Sequence, residues 1–347
     1  MSIELSSFLI SFTLTSLIYL VPYEKLSRKS DFIGKQKFHY KPTPRIGGLV
    51  IFIAFWLVLF SEINYEKSHG LFLISLIIFG IGLLEDITFR IPPIVRISFI
   101  GVSVGLCFFY LNIGILKFDI VFLDNVFSNN RILMVLFSII VISGVVNSFN
   151  IIDGFNGLAM GICILSMLSI LALGILYSDL LVADLSKLLI YSILGLLVFN
   201  FPSGKIFLGD GGAYFIGFIA TIIGLIATSR LDAVSNWFLL LTFIYPIYET
   251  VFSIYRKKFI RGKSPFSPDR SHMHMLIHLR IVKKIFKRKT LIFQNSFTGF
   301  LIVFAISPFM YLAFVWHDNK AFLAIVSIIF MGLYNLLYRY IVKFGKI

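Results

Sequence analysis

The chain has 347 residues, of which 58% are hydrophobic and 14% are charged. Soluble domains carry about 45–50% apolar and about 25% charged residues, so this composition excludes a water-soluble protein and a disordered chain. A formal net charge of +14 also occurs in nucleic-acid-binding modules, but here the basic residues lie between hydrophobic segments rather than on one soluble face. The composition predicts a polytopic membrane protein with no nucleic-acid partner.

Hydrophobic segments of nearly membrane-spanning length recur along the whole sequence. A helix needs roughly 20 mostly apolar residues to cross about 30 Å of hydrocarbon. Eleven segments approach this length, which predicts an all-α, polytopic integral membrane protein of 10–11 transmembrane helices, forming a single domain over residues 1–347. The predicted spans are residues 4–22, 46–60, 70–84, 94–112, 131–148, 158–178, 187–201, 211–229, 237–255, 293–316 and 321–342.

Lys and Arg accumulate on one side of this predicted topology. Cytoplasmic loops of membrane proteins are enriched in positive residues, and with eleven spans one side holds 25 of the 31 Lys and Arg residues. We therefore expect the N-terminus outside and the C-terminus in the cytoplasm. The largest polar insertion, residues 256–292, is predicted to be a basic cytoplasmic loop that lies against anionic headgroups or binds an anionic ligand.

The first polar cluster at a predicted span end is residues 41–48, with the sequence KPTPRIGG. Its prolines stiffen the chain, and its paired glycines allow the backbone to approach a ligand. Lys41 and Arg45 are therefore candidate ligand-binding residues at the membrane edge. The alternative is a plain positive anchor at the start of the second span.

Two adjacent acids, Glu85 and Asp86, end the otherwise apolar third span. Adjacent carboxylates raise each other's pKa, which suits a divalent-cation site or a general base. The alternative is that these acids only mark a helix end, although the C-terminus of a helix disfavours negative charge.

Four polar side chains recur every three residues at the end of the fifth span: Asn147, Asn150, Asp153 and Asn156. A helical stretch would place them along one stripe. Span capping explains one such residue but not four in register. The pattern therefore favours a binding site.

Lys205 and Asp210 flank a short apolar stretch just before the eighth span, and glycines surround Asp210. A helix N-terminus accommodates a carboxylate and also binds phosphate. Asp210 is therefore a candidate for a metal or phosphate site, with helix capping as the alternative.

The basic segment 256–292 contains Arg270 followed by His272 and His274. Imidazoles beside an arginine can donate hydrogen bonds to phosphate oxygens. A zinc site is the alternative, but the sequence shows no third protein ligand nearby and no HExxH spacing.

The predicted topology brings all five clusters to the cytoplasmic face. Together they supply oxygen ligands, cationic donors and flexible backbone at a lipid–water boundary. Mg²⁺ prefers oxygen ligands and commonly binds through one or two carboxylates plus substrate phosphates. The sequence predicts phosphate chemistry with Mg²⁺, or alternatively Mn²⁺, as the cofactor.

The clusters and their order resemble the motifs of the polyprenyl-phosphate N-acetylhexosamine-1-phosphate transferases, from about Lys41 to about His278. The resemblance implies transfer of a sugar 1-phosphate from a UDP-sugar to a polyprenyl phosphate in the bilayer, with release of UMP. It favours UDP-GlcNAc as the donor, the bacterial plasma membrane as the location and cell-surface polysaccharide synthesis as the pathway. A homodimer is one option for the assembly.

The resemblance also implies roles for the residues that match the family's motifs. Glu85 stands where the family has Asp. The implied catalytic residues are Asp86, Glu85, Asp153, His272 and His274. The implied metal ligands are Asp210 and Asn150. The implied substrate-binding residues are Lys41, Arg45, Asn147, Asn156, Lys205 and Arg270.

Two alternative functions remain open at this level. Met275 replaces a further histidine of the family, whereas the lipid I synthases carry consecutive histidines. The chain therefore resembles the branch that initiates O-antigen or teichoic acid, with transfer of phospho-N-acetylmuramoyl-pentapeptide as the first alternative. The second is a transporter or flippase of an anionic lipid or sugar phosphate, although transporters place their sites near the midplane between related repeats. Glu249, inside the ninth span, is not explained by any of these interpretations, which leaves a helix-packing contact or a position behind another site residue as the options.

Overall fold

The computed structural model describes residues 2–21, 43–267 and 269–344, so Lys41 lies outside the described residues. All regular structure in these residues is helical, which confirms the all-α prediction. The helices are α1 (Ile3–Leu20), α2 (Gly47–Glu62), α3 (Ser68–Thr88), α4 (Pro93–Leu111), α5 (Val121–Ser128), α6 (Arg131–Ile152), α7 (Leu158–Leu176), α8 (Leu180–Asn200), α9 (Gly209–Arg230), α10 (Asn236–Thr242), α11 (Ile244–Tyr255), α12 (Met273–Ile277), α13 (Lys283–Ile285), α14 (Leu291–Val315) and α15 (Lys320–Phe344).

Each predicted span coincides with a helix or a pair of helices. Within the described part of the chain, nine helices are long and apolar enough to cross a membrane. α2 is shorter, with 16 residues, and α10 and α11 together cover the ninth predicted span. These helices confirm the prediction of a polytopic membrane protein.

α9 lies at the centre of the bundle and packs against α2, α3, α6, α7 and α8. A Cβ atom on Gly82 would lie 2.5 Å from the Cα atom of Gly211, and one on Gly48 would lie 2.2 Å from the Cα atom of Gly212. Small residues allow membrane helices to approach this closely. The contacts hold the start of α2 and the C-terminal half of α3 against the first turn of α9.

The ninth predicted span is bent rather than straight. α10 and the helix that continues from α11 to Ile260 meet at 73° across Phe243. Pro246 lies in the first turn of α11, where the missing proline N–H removes no helical hydrogen bond. Beyond the bend, α11 packs against α6 and α15.

Part of the basic segment 256–292 is helical and buried, unlike a surface loop. It contains a π-helical turn at Arg256–Ile260, then α12, a second π-helical turn at His278–Val282, and α13. Residues 272–278 are buried, because the apolar side chains of α12 pack against α14 and α15. Residues 272–278 contain no Lys or Arg, so it stays a prediction that the basic residues of this segment lie against anionic headgroups or bind an anionic ligand.

Candidate active site

A cavity of about 480 Å³ lies at the end of the bundle where α9 begins. Its walls come from the segment before α2, the end of α3, the starts of α4 and α9, the end of α6 and the segment after α11. All five polar clusters contribute to it, so the predicted convergence of these clusters is observed. The predicted site residues that line the cavity are Arg45, Glu85, Asn147, Asn150, Asp153, Asn156, Asp210 and His272.

Asp210 is the second residue of α9 and lines the cavity. Its Oδ1 accepts a hydrogen bond from Nη2 of Arg45 at 2.8 Å, and its Oδ2 accepts one from Nη1 of Arg96 at 2.5 Å. The N-terminus of α9 also favours negative charge at this position. A carboxylate oxygen has two lone pairs, so both oxygens of Asp210 keep acceptor capacity for a further ligand.

Arg96 is a site residue that the motifs did not indicate. It lies in the first turn of α4, and its side chain is 15% exposed where it meets Asp210. A signal was present in the sequence, because a charged residue inside an apolar span is costly and needs a partner. Counted only as a positive residue at the membrane edge, Arg96 remained without a role.

Asp86 is buried behind the cavity rather than in its wall. Its Oδ1 accepts the backbone N–H of Asp210 and its Oδ2 accepts the backbone N–H of Gly211, both at 2.9 Å. Nε of Arg45 lies 3.4 Å from Oδ1. Asp86 thus binds two N–H groups at the start of α9 that have no partner within the helix, and it fixes the position of Asp210.

Glu85, next in the chain, points to a different place. Its side chain lines the cavity, and its Oε2 accepts the backbone N–H of Ile91 at 2.7 Å. Glu85 therefore joins the end of α3 to the turn that leads into α4. The two adjacent acids do not form one carboxylate pair, because a single helical step separates their directions.

The asparagine stripe reaches the cavity as its spacing predicts. Asn147 and Asn150 line the cavity from the last two turns of α6, and Asp153 follows as the first residue beyond the helix. Burial raises the pKa of Asp153 to about 7. A carboxyl group that titrates near neutral pH beside a cavity is suited to accept a proton from a ligand.

Asn156 lines the cavity and also anchors the turn between α6 and α7. Its Nδ2 donates to Oγ of Ser296 at 3.0 Å, and its backbone N–H donates to Oδ1 of Asn295 at 2.8 Å. The next N–H, of Gly157, donates to Oδ1 of Asn200 at 2.7 Å. These bonds tie the turn to α8 and α14.

The two predicted histidines have different environments. His272 lines the cavity, and its Nδ1 lies 2.9 Å from Oε1 of Glu249. His274 is fully buried outside the cavity wall, with Nδ1 at 3.4 Å from Oη of Tyr245. Burial lowers the pKa of His274 to about 3, so this ring is neutral at physiological pH.

Two of the predicted substrate-binding residues in the described chain are absent from the cavity wall. Nζ of Lys205 lies 4.7 Å from the ring centroid of Tyr19, a cation–π contact with α1. Arg270 also lies outside the set of residues that line the cavity. Lys41, the other predicted substrate-binding residue that is not assigned to the wall, lies outside the described residues.

The donor set of the cavity fits a Mg²⁺ ion that is shared with a ligand. No group of three His, Cys, Asp or Glu side chains in residues 2–21, 43–267 and 269–344 is arranged to hold a metal ion. The cavity does offer the carboxylates of Asp210, Asp153 and Glu85 and the amide oxygen of Asn150. Mg²⁺ takes oxygen ligands, often one or two carboxylates completed by phosphates and water.

The sequence of this chain is similar to those of several known proteins. Residues 68–228 match the family model for glycosyl transferase family 4. The chain is 30% identical to a probable undecaprenyl-phosphate N-acetylglucosaminyl 1-phosphate transferase of Bacillus subtilis, over 91% of this chain and 88% of the relative. It is 28% identical to the undecaprenyl-phosphate alpha-N-acetylglucosaminyl 1-phosphate transferase of Thermotoga maritima, over 89% and 91%. A phospho-N-acetylmuramoyl-pentapeptide-transferase of Streptococcus uberis is 27% identical, over 79% and 89%.

Membrane-spanning helices that enclose a polar cavity at one end of the bundle, in a chain similar to these transferases, define the class as an integral membrane enzyme. The match to the family model covers α3 to α9, which contribute most of the acids and amides of the cavity. The chain belongs to glycosyl transferase family 4, the family of the polyprenyl-phosphate hexosamine-1-phosphate transferases.

Proposed function

We propose that this protein transfers GlcNAc 1-phosphate from UDP-GlcNAc to undecaprenyl phosphate, releases UMP, and thereby starts the synthesis of a cell-surface polysaccharide. The observation that carries the proposal is the single cavity in which Asp210, Asp153, Arg45 and Arg96 meet. The names of the Bacillus and Thermotoga relatives support the sugar and the lipid.

The reaction needs a cavity that binds two phosphorylated substrates and neutralises their charge. An oxygen of the polyprenyl phosphate attacks the sugar-side phosphorus of UDP-GlcNAc, and the bond from that phosphorus to the oxygen of the leaving UMP breaks. Arg45, Arg96 and His272 are placed to bind phosphate oxygens. Asp153 accepts the proton of the attacking phosphate, because its raised pKa suits proton transfer near pH 7.

In this proposal Asp210 and Asn150 are the residues that would hold Mg²⁺. When bound, the ion would neutralise charge on the diphosphate and on the leaving UMP. Asp86 acts one step behind Asp210: it fixes the start of α9, so that the Asp210 carboxylate stays in the cavity. This is a positioning role rather than the role of a base, since both Asp86 oxygens accept backbone hydrogen bonds.

The assay that tests the proposal measures UMP release from purified protein supplied with UDP-GlcNAc, undecaprenyl phosphate and Mg²⁺. We expect release that requires all three additions and yields a lipid-linked GlcNAc diphosphate. Release without the lipid, or no release under any condition, would contradict the proposed reaction. Lipid movement without UMP release would favour the transporter alternative.

A second donor, UDP-N-acetylmuramoyl-pentapeptide, is supported by the Streptococcus relative. Competition between the two UDP-sugars in the same assay separates the alternatives. We expect UDP-GlcNAc to be used and the pentapeptide donor to be rejected. Exchange of Mg²⁺ for Mn²⁺ in this assay tests the alternative cofactor.

We also propose that the protein lies in the bacterial plasma membrane and that its cavity opens to the cytoplasm, because the side of the membrane that carries the cavity holds most Lys and Arg residues. The two native cysteines, Cys107 and Cys163, are buried, which allows labelling of introduced cysteines. Lys263 lies in the segment after α11 that contributes to the cavity wall, and Asp318 lies between α14 and α15. Both side chains are exposed. An impermeant maleimide added to intact cells should label Asp318→Cys but not Lys263→Cys; the reverse result would invert the orientation.

The expected homodimer remains a prediction. Light scattering of the detergent-solubilised protein, corrected for bound detergent, measures the mass that decides it.

A further inference from the structure

Glu249 is a fully buried carboxylate in α11, three residues after Pro246. An unpaired charge at such a position would be strongly unfavourable. Three groups compensate it: His272, whose Nδ1 lies 2.9 Å from Oε1; the backbone N–H of Met273, which donates to Oε2 at 3.1 Å; and Oη of Tyr334 in α15, which donates to Oε2 at 2.7 Å.

The contact with His272 determines which ring nitrogen can serve the cavity. An imidazole has two nitrogens, and a carboxylate only accepts hydrogen bonds, so Nδ1 carries a hydrogen and donates it in a hydrogen bond to Glu249. His272 lines the cavity, which leaves Nε2 as the nitrogen that can reach a ligand there.

A second contact restrains the His272 ring through its face. It stacks on the ring of His274, with centroids 5.4 Å apart and an angle of 10° between the planes. His274 is in turn buried and lies beside Tyr245. Glu249 and His274 therefore restrict both the rotation and the tilt of the His272 ring.

We propose that Glu249 is a positioning residue that acts through His272. Within the proposed function, Glu249 keeps Nε2 of His272 directed at the cavity, where a ring that carries a hydrogen on both nitrogens donates a hydrogen bond to a phosphate oxygen of the nucleotide. The ligand class is thus a uridine nucleotide phosphate, either of the donor or of the leaving UMP. Glu249 does not itself line the cavity.

A purely structural role for Glu249 makes a different prediction. In that case Glu249 would only connect α11, α12 and α15, and its replacement would weaken every property of the protein in proportion to the lost stability. A role through His272 makes the effects of the two residues non-additive, because residues that act as a unit share one effect.

The decisive experiment is a double-mutant cycle with Glu249→Gln, His272→Ala and the double variant. Gln keeps the volume of Glu249 but removes its charge. We expect each single variant to lower kcat/KM for UDP-GlcNAc by roughly tenfold or more, and the double variant to be at most about twofold worse than His272→Ala. Independent, multiplying effects would overturn the inference.

Two readouts separate positioning from general damage. Glu249→Gln should raise the KM for UDP-GlcNAc and leave the KM for undecaprenyl phosphate unchanged; equal changes in both would contradict the inference. Tyr334→Phe is the matched control, since it removes another hydrogen bond of Glu249 without touching His272. It should keep kcat/KM within about threefold of the native protein, and a loss equal to that of Glu249→Gln would again contradict the inference.

UMP binding, measured calorimetrically on the same proteins, keeps this inference distinct from the proposed reaction. We expect Glu249→Gln and His272→Ala to weaken UMP binding to the same extent, including in the case where UDP-GlcNAc is not the donor. Failure of native protein to release UMP from UDP-GlcNAc would refute the proposed function. Unchanged UMP affinity in both variants would refute the role of Glu249.

Discussion

The two sides of the cavity use a buried acid in different ways. On one side Asp86 lies behind Asp210, and on the other Glu249 lies behind His272. Asp86 binds backbone N–H groups and therefore fixes where a helix begins. Glu249 binds a ring nitrogen and therefore fixes the orientation of one side chain. The comparison teaches that a buried acid near a membrane site can position either the start of a helix or the ring of a single residue.

The largest expected effect is at Asp210, the group that Asp86 positions. Asp210→Asn removes the negative charge between Arg45 and Arg96, and we expect kcat/KM for UDP-GlcNAc to fall by roughly 10³-fold. Asp232→Asn is the matched control, because Asp232 is exposed beyond the other end of α9. Near-native turnover by Asp210→Asn would remove this residue from the chemistry and from the comparison.

The titration of Asp153 is expected to set the pH dependence of the reaction. Burial raises the pKa of its carboxyl group to about 7, so the group is protonated below pH 7 and becomes a proton acceptor as the pH rises. Below pH 7 the rate should therefore increase by roughly tenfold per pH unit. We expect Asp153→Asn to lose most of the activity and this acidic limb; an unchanged pH profile in that variant would exclude Asp153 as the proton acceptor.

Asp86→Asn tests whether positioning explains the first side. The amide offers one acceptor oxygen for two backbone N–H groups, so we expect a loss of about 1–3 kcal/mol in stability. Activity should fall by roughly tenfold, less than in Asp210→Asn, because the charge of Asp210 remains in the cavity. Thermal unfolding and UMP release measure the two effects. Full stability with activity as low as that of Asp210→Asn would instead indicate a base.

The glycine contacts of α9 offer a smaller test of the same geometry. Gly82→Ala places a Cβ atom against the backbone of Gly211. The Cβ atom added by Gly80→Ala, in the same helix, has no neighbouring atom within 4 Å. We expect Gly82→Ala to cost about 1–3 kcal/mol of stability, since two backbones must separate. Gly80→Ala should leave the unfolding temperature unchanged or raise it. Equal behaviour of the two variants would show that this contact does not position the site.

The smallest effect is expected at Lys205, which does not line the cavity on either side. Its ammonium group lies over the ring of Tyr19, so Lys205→Ala should lose about 0.5–1 kcal/mol of stability. The KM for UDP-GlcNAc should change by less than about twofold. A large rise in that KM would restore the sequence-based assignment of Lys205 to substrate binding.

Several features of the site were predictable from the sequence because each depends on local information. The asparagine stripe follows from helical spacing, and it places Asn147 and Asn150 in the cavity as predicted. The convergence of the five clusters follows from counting spans. The pairing of Arg96 with Asp210, 114 residues away in the chain, depends on how helices pack, and no spacing rule within one segment indicates it.

Other features were misjudged because polar residues were assumed to face solvent or ligand. Residues 272–278 are buried, since α12 has apolar side chains that fit against α14 and α15. The sequence left the role of Glu249 open, because its partners His272 and Tyr334 lie 23 and 85 residues away.

The sequence by itself determined where the apolar segments lie and the end of the bundle at which the polar clusters lie, because hydropathy and chain alternation are properties of consecutive residues. Only the tertiary structure decided which acids face the cavity. Glu85 and Asp86 are neighbours with the same charge, yet one lines the cavity and the other binds the start of α9. The reason is physical: the glycine contacts bring α3 and α9 so close that the Asp86 carboxylate meets the N–H groups of Asp210 and Gly211.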